Sequence, residues 1–178
     1  MTVPNYITLL RIVFIPLVIL LLSFGLNGLA ASLFLALSLS DAIDGYVARR
    51  YKQVSDLGKF LDPIADKVLV ISVLIALVDN GTANSLAVII MVAREFLVSG
   101  IRIQAAQGNQ ILAAIPLAKI KTFMQIAAVS LLMLHLPLAN AVLWLAVVLS
   151  LVSGWAYLWQ SNLSNHLKLS WKTFSPKS

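Results

Sequence analysis

Apolar residues dominate this chain in runs of about twenty, broken by short polar or glycine-bearing stretches. A helix rises 1.5 Å per residue, so a run of roughly 20 apolar residues matches the hydrocarbon thickness of a bilayer. Segmented in this way, the sequence predicts helices over Tyr6–Phe24, Gly28–Arg49, Leu57–Val78, Ser85–Ala106, Ile115–Leu136 and Ala139–Trp159. The breaks fall at Gly25 with Asn27 and Gly28, at Asp79-Asn80-Gly81, at Gly108-Asn109 and at Pro137. Glycine, asparagine and proline punctuate helices because they favour backbone conformations or leave hydrogen-bonding gaps that a helix interior does not accommodate. The expected fold is therefore an all-α integral membrane protein with six transmembrane helices. Residues 1–160 form the membrane domain and 161–178 a basic polar tail. The first apolar run lacks a basic flank and a small-residue cleavage site, so it reads as a retained helix rather than a signal peptide.

Composition supports the same class. Of 178 residues, 60% are hydrophobic and 11% charged, where a water-soluble domain carries about 25% charged residues. Mean hydropathy is +0.93. With no cysteine, disulfides and thiolate metal sites are excluded. The net charge of +6 matters less than its placement. The breaks after the first, third and fifth segments contain no Lys or Arg. Arg49, Arg50, Lys52 and Lys59 follow the second segment, Arg102 ends the fourth, and Lys119 and Lys121 open the fifth. Lys168, Lys172 and Lys177 lie in the tail. By the positive-inside rule both termini are expected in the cytoplasm.

Against this background, carboxylates are conspicuous. Asp41 and Asp44 close the second segment three residues apart, and Asp62 and Asp66 open the third four apart. Each pair shares a helical face, and a short connection can bring the two faces together. Four carboxylates at close range do not all stay ionised without cations. Oxygen ligands without Cys or His suit hard ions, Mg²⁺, Mn²⁺ or Ca²⁺, and two such ions can clamp a phosphate during an in-line displacement. Gly45, Ala48 and Gly58 remove bulk beside the acids, and Arg49 is placed to meet a phosphate. A salt-bridge network with Arg49, Arg50 and Lys67 competes with metal binding. So does an ordinary N-cap at Asp62-Pro63, although a helix from there to Val78 spans only about 24 Å. A start before Asp62, with a bend near Pro63, is preferred.

Further polar residues interrupt the apolar runs. Asn5, Thr8 and Arg11 share a face of the first segment, either as an interfacial anchor with Arg11 snorkelling or as part of a site. Arg94 and Glu95 lie deep in the fourth segment, and Arg94 requires a buried anionic partner in the protein or in a ligand. Arg94, Arg102 and Lys119 together are expected to hold a small phosphorylated substrate, with Lys121 assigned to surface anchoring. His135 and the late aromatics receive no catalytic role.

The spacing Asp41-x2-Asp44-Gly45-x2-Ala48-Arg49-x8-Gly58-x3-Asp62-x3-Asp66 resembles, at each defined position, the signature of the CDP-alcohol phosphotransferase family. The runs P-N-Y-I-T-L-L-R, S-D-A-I-D-G-Y-V-A-R-R, R-E-F-L-V-S-G-I-R and K-I-K-T are similar to those of its bacterial phosphatidylglycerophosphate synthases, and the similarity spans residues 4 to about 160. The resemblance implies that Asp41, Asp44, Asp62 and Asp66 ligate two divalent cations, Mg²⁺ or Mn²⁺, with Asp66 also the general base. Gly45, Ala48, Arg49 and Gly58 would border the CDP moiety, with Asn5 and Thr8 grouped alongside. It further implies a homodimer with a cytoplasm-facing cavity that joins CDP-diacylglycerol to sn-glycerol 3-phosphate, releasing CMP. Inositol phosphate or phosphatidylglycerol as acceptor, or a divalent-cation transporter, are the alternatives. The transporter is disfavoured because the acids and deep cations gather toward one membrane face.

Overall fold

A computed structural model describes the backbone of residues 3–50, 56–107 and 116–160, and the side chains of 9–40, 64–65, 67–104 and 116–159. Every described element is helical: α1 (Val3–Ser23), α2 (Asn27–Arg50), α3 (Asp56–Asp79), α4 (Ser85–Gln107), α5 (Pro116–Met133) and α6 (Ala139–Gln160). The six expected helices are present, with ends shifted by up to three residues. α3 starts at Asp56 and runs through Pro63, as its length required, so Asp62-Pro63 is not its N-terminus. α1 likewise continues through Pro16.

The connections after α1, α3 and α5 close in the same way. The Gly25 N–H donates to the Leu22 carbonyl and the Leu26 N–H to Leu21, both at 2.9 Å, with Gly25 at φ 72°. Gly81 repeats the pattern against Val78, with Thr82 against Leu77, at φ 69°. This is the Schellman closure, in which a left-handed residue lets two outgoing N–H groups satisfy the last helical carbonyls. After α5 the left-handed position is taken by His135, at φ 51°, with bonds to Leu132 and from Leu136 to Leu131. That closure corrects the expected end of the fifth helix from Leu136 to Met133. Pro137 contributes, since a residue before proline is pushed out of the helical region.

These three connections are also stitched together. Asn27 Nδ2 lies 3.1 Å from His135 Nδ1. The Asn84 side chain caps α4 by accepting from the Ala87 N–H at 3.2 Å. Asn140, at the start of α6, accepts from the Asn84 N–H at 3.3 Å and donates to the Thr82 carbonyl at 3.1 Å. The ends of α1, α3 and α5 and the starts of α2, α4 and α6 therefore share one end of the bundle.

Inside, Val18, Phe34, Leu69, Val73, Leu74, Leu77, Met91, Leu132 and Leu143 form a continuous core. Ala30, Ala87, Ala128 and Ala146 are fully or almost fully buried where helices approach closely, the small-residue packing that membrane helices favour. The outer surface is apolar as well: Val13, Phe24, Phe123, Trp155 and Trp159 are each at least two-thirds exposed. Two described helices, Pro116–Met133 and Ala139–Trp159, are long and apolar enough to cross a membrane. An all-helical bundle with an apolar exterior is consistent with a membrane protein.

Candidate active site

The backbone places the signature on two helices. Asp41, Asp44, Gly45, Ala48 and Arg49 lie on the last turns of α2, and Gly58, Asp62 and Asp66 on the first turns of α3. α2 and α3 are in contact. The spacings 41/44 and 62/66 thus fall on uninterrupted helices, where residues three and four apart share a face. The side chains of these residues, and of Asn5 and Thr8 on α1, lie outside the described residues, and with them the predicted metal ligands, general base and CDP contacts.

Side chains bordering this region are described. Arg11 of α1 is 1% exposed, so its guanidinium lies inside the bundle and not at the lipid headgroups. A buried guanidinium carries a large desolvation cost, which marks this face of α1 as part of the polar interior.

Arg94 and Glu95 turn toward different neighbours of α4. Arg94 is buried and turned toward α6: Nε donates to the Ser150 carbonyl at 2.8 Å and Nη2 to Ser153 Oγ at 2.5 Å, while that hydroxyl donates to the Ser150 carbonyl at 3.0 Å. The stem packs on Gly154, where a Cβ would stand 3.2 Å from Arg94 Nε. Only Nη1 faces its neighbour, 3.4 Å from Glu95 Oε1. The expected buried anionic partner is thus Glu95, and neutral oxygens of α6 take the other guanidinium donors. Arg94 lines an apolar groove of about 620 Å³ with Leu97, Val98, Leu151 and Trp155.

The other seam is polar. A cavity of about 50 Å³ is lined by Lys67 of α3, Glu95 of α4, and Lys121, Thr122 and Gln125 of α5. Lys121 Nζ is ion-paired with Glu95 Oε1. Lys67 Nζ donates to Ser99 Oγ, and Ser99 donates to the Glu95 carbonyl at 2.6 Å. Lys121 and Gln125 are each 5% exposed. This corrects the assignment of Lys121 to surface anchoring: one helical turn separates it from Gln125, and that face of α5 points inward. A lysine and a glutamine at i and i+4 in an apolar helix are a legible signal of a polar seam. Arg102 and Lys119, by contrast, are exposed.

A family model described as CDP-alcohol phosphatidyltransferase matches residues 1–152. The chain belongs to the CDP-alcohol phosphatidyltransferase family. It is thus a member of a family of transferase enzymes, and the signature helices α2 and α3 lie inside the matched region. Among similar curated proteins is the CDP-diacylglycerol–glycerol-3-phosphate 3-phosphatidyltransferase of Bacillus subtilis, 42% identical over 86% of this chain and 92% of its own length. The protein of the same name from Rickettsia bellii is 40% identical over 86% of this chain and 92% of its own. That from Pseudomonas fluorescens is 33% identical over 96% and 91%.

Proposed function

We propose that this protein transfers the phosphatidyl group of CDP-diacylglycerol to sn-glycerol 3-phosphate, giving phosphatidylglycerophosphate and CMP. The observation that carries it is the 42% identity to a relative of that name over nearly the whole of both chains. The acceptor's free terminal hydroxyl attacks the phosphorus that bears the diacylglycerol. A new P–O bond forms to glycerol, the P–O bond to CMP breaks, and the hydroxyl proton passes to the Asp66 carboxylate. Gly45, Ala48, Arg49 and Gly58, with Asn5 and Thr8, border the CDP moiety. Arg102 and Lys119, both exposed, meet the acceptor phosphate, and Arg94 joins that set only by giving up bonds that hold it to Ser150, Ser153 and Glu95.

Asp41, Asp44, Asp62 and Asp66 would hold two divalent cations, Mg²⁺ or Mn²⁺. Their placement on two contacting, continuous helices and their all-oxygen chemistry suit such ions. Bound cations would supply Lewis-acid stabilisation of the phosphate and leaving-group oxygens.

In the same reading all six helices span a bacterial plasma membrane, with both termini and the aspartates on the cytoplasmic side, and the chain pairs as a homodimer. The basic residues and the acids then share a face from which water-soluble acceptor and CMP exchange, while the lipid donor enters laterally. The stitched connections at the opposite end, with the apolar core beneath them, support a cavity opening to one side only.

The test is to incubate purified protein with CDP-diacylglycerol and a panel of acceptors, with and without Mg²⁺ or Mn²⁺, and to identify the lipid. Phosphatidylglycerophosphate formed with glycerol 3-phosphate, dependent on the cation, is expected. A product made only with inositol phosphate or phosphatidylglycerol reassigns the acceptor. Cation flux in proteoliposomes without CMP release overturns the enzyme reading.

A further inference from the structure

Glu95 lies where three helices meet, and its backbone and side chain serve different neighbours. α4 packs closely on α6 and touches α3, and α5 packs on α6, α2 and α3. Among the described residues α4 and α5 are not a closely packed pair. Their seam is crossed instead by the Lys121–Glu95 ion pair, whose side chains are 6% and 13% exposed. Beside that bridge lies the polar cavity of about 50 Å³, room for roughly three or four waters. The Glu95 carbonyl holds Ser99 at 2.6 Å, and Ser99 accepts from Lys67 of α3, the residue directly after Asp66. A charge pair in a low-dielectric interior is strong and directional, so it sets a distance that apolar packing there does not set.

We propose that Glu95 is a positioning residue for phosphatidyl transfer. Its carboxylate, through Lys121, fixes α5 against α4; the Lys67–Ser99 bond that ties α3 to α4 ends on the Glu95 backbone carbonyl and does not depend on that side chain. Arg102 lies seven residues beyond Glu95 on α4, and Lys119 two before Lys121 on α5. The Glu95–Lys121 bridge therefore governs the separation of the two exposed cations assigned to the acceptor phosphate, and it joins α4 to α5 without using α2 or α3, which carry the donor-contacting residues. This inference rests on the proposed function above, and predicts a defect in acceptor use specifically.

Removing one partner of a buried pair leaves an unpaired charge and can unfold the protein. The deciding variant is therefore the double substitution Glu95→Gln/Lys121→Met, which approximates both shapes, removes both charges and leaves an amide oxygen for Arg94 Nη1. It is measured beside wild type in detergent micelles, with KM determined separately for glycerol 3-phosphate and for CDP-diacylglycerol. We expect a folded protein whose KM for glycerol 3-phosphate is raised about tenfold, with KM for CDP-diacylglycerol within about twofold of wild type. Each folded single variant should show a similar rise, because changes acting through one contact do not add. An unchanged acceptor KM in the folded double variant, or equal rises for both substrates, overturns the proposal. Should the double variant not fold, Glu95→Asp decides, since it keeps the charge and shortens the arm of the bridge by one methylene. An acceptor KM raised about threefold is then expected, and a wild-type value overturns the proposal. Wild type that makes no phosphatidylglycerophosphate refutes the functional reading instead, whatever the variants do.

Discussion

At one end of the bundle the chain turns on backbone chemistry: Gly25, Gly81 and His135 in left-handed conformations, an asparagine cap on α4, and Asn27 and Asn140 joining neighbouring connections. Toward the other end, α2 and α3 carry the four signature aspartates, and α4 and α5 carry Glu95, Arg102, Lys119 and Lys121. Both ends are polar, but the polar groups differ in kind. Neutral amides and carbonyls satisfy one another at little cost and fix where helices stop. Ionised side chains at membrane depth are costly, and an ionisable residue there reads as functional by default. The difference separates residues whose loss should cost stability from those whose loss should cost turnover.

The largest expected effect belongs to the charged end. Asp66→Asn should lower kcat by about a thousandfold or more, the scale of a lost general base together with a weakened cation site, while the protein stays folded. CMP release, followed beside thermal unfolding in detergent, measures both. Turnover near wild type would remove Asp66 from the base role and break the division between the two ends.

Arg102 and Arg94 sharpen it within one helix. Arg102→Ala, at an exposed position, should raise the KM for glycerol 3-phosphate about tenfold and leave the melting temperature unchanged. Arg94→Ala should also lower stability, by about 2–3 kcal/mol, because it strips hydrogen bonds to Ser150 and Ser153 from a buried seam. If Arg94→Ala leaves stability untouched, its bonds to α6 are not what holds that seam.

Much of this was legible in the sequence, and unevenly so. Helix number and approximate length follow from apolar runs and from Gly25, Gly81 and Pro137, because membrane thickness and backbone satisfaction leave few options. The signature needed only its spacing. The two faces of α4 were not legible. Arg94 and Glu95 are adjacent, and nothing in a local pattern says that one turns to Ser150 and Ser153 and the other to Lys121, since all three partners lie at least 26 residues away. Lys121 was misread because positive-inside counting treats every basic residue near a helix start alike, whereas Gln125 one turn later already marked an inward face.

At the neutral end the effects should be small and confined to stability. Asn140→Ala removes two hydrogen bonds at exposed positions, for a loss of about 1 kcal/mol with kcat unchanged. A change in kcat there would mean that the connections are coupled to the chemistry.

The smallest expected effect separates the closures from one another by sign. At Gly25 a Cβ would meet nothing within 4 Å, so Gly25→Ala should cost about 1 kcal/mol through backbone conformation alone, at φ 72°. His135 occupies the equivalent place at φ 51° and already bears that strain, partly offset by its contact with Asn27. Replacing it with glycine relieves about 1 kcal/mol of strain and forfeits an exposed hydrogen bond worth about 0.5 kcal/mol. His135→Gly should therefore raise stability by about 0.5 kcal/mol, opposite in sign to Gly25→Ala, with neither variant altering activity. Paired thermal unfolding curves decide it. A loss of stability in His135→Gly would show that the Asn27 contact outweighs the backbone strain, and that the third closure is held by its side chain rather than by the turn.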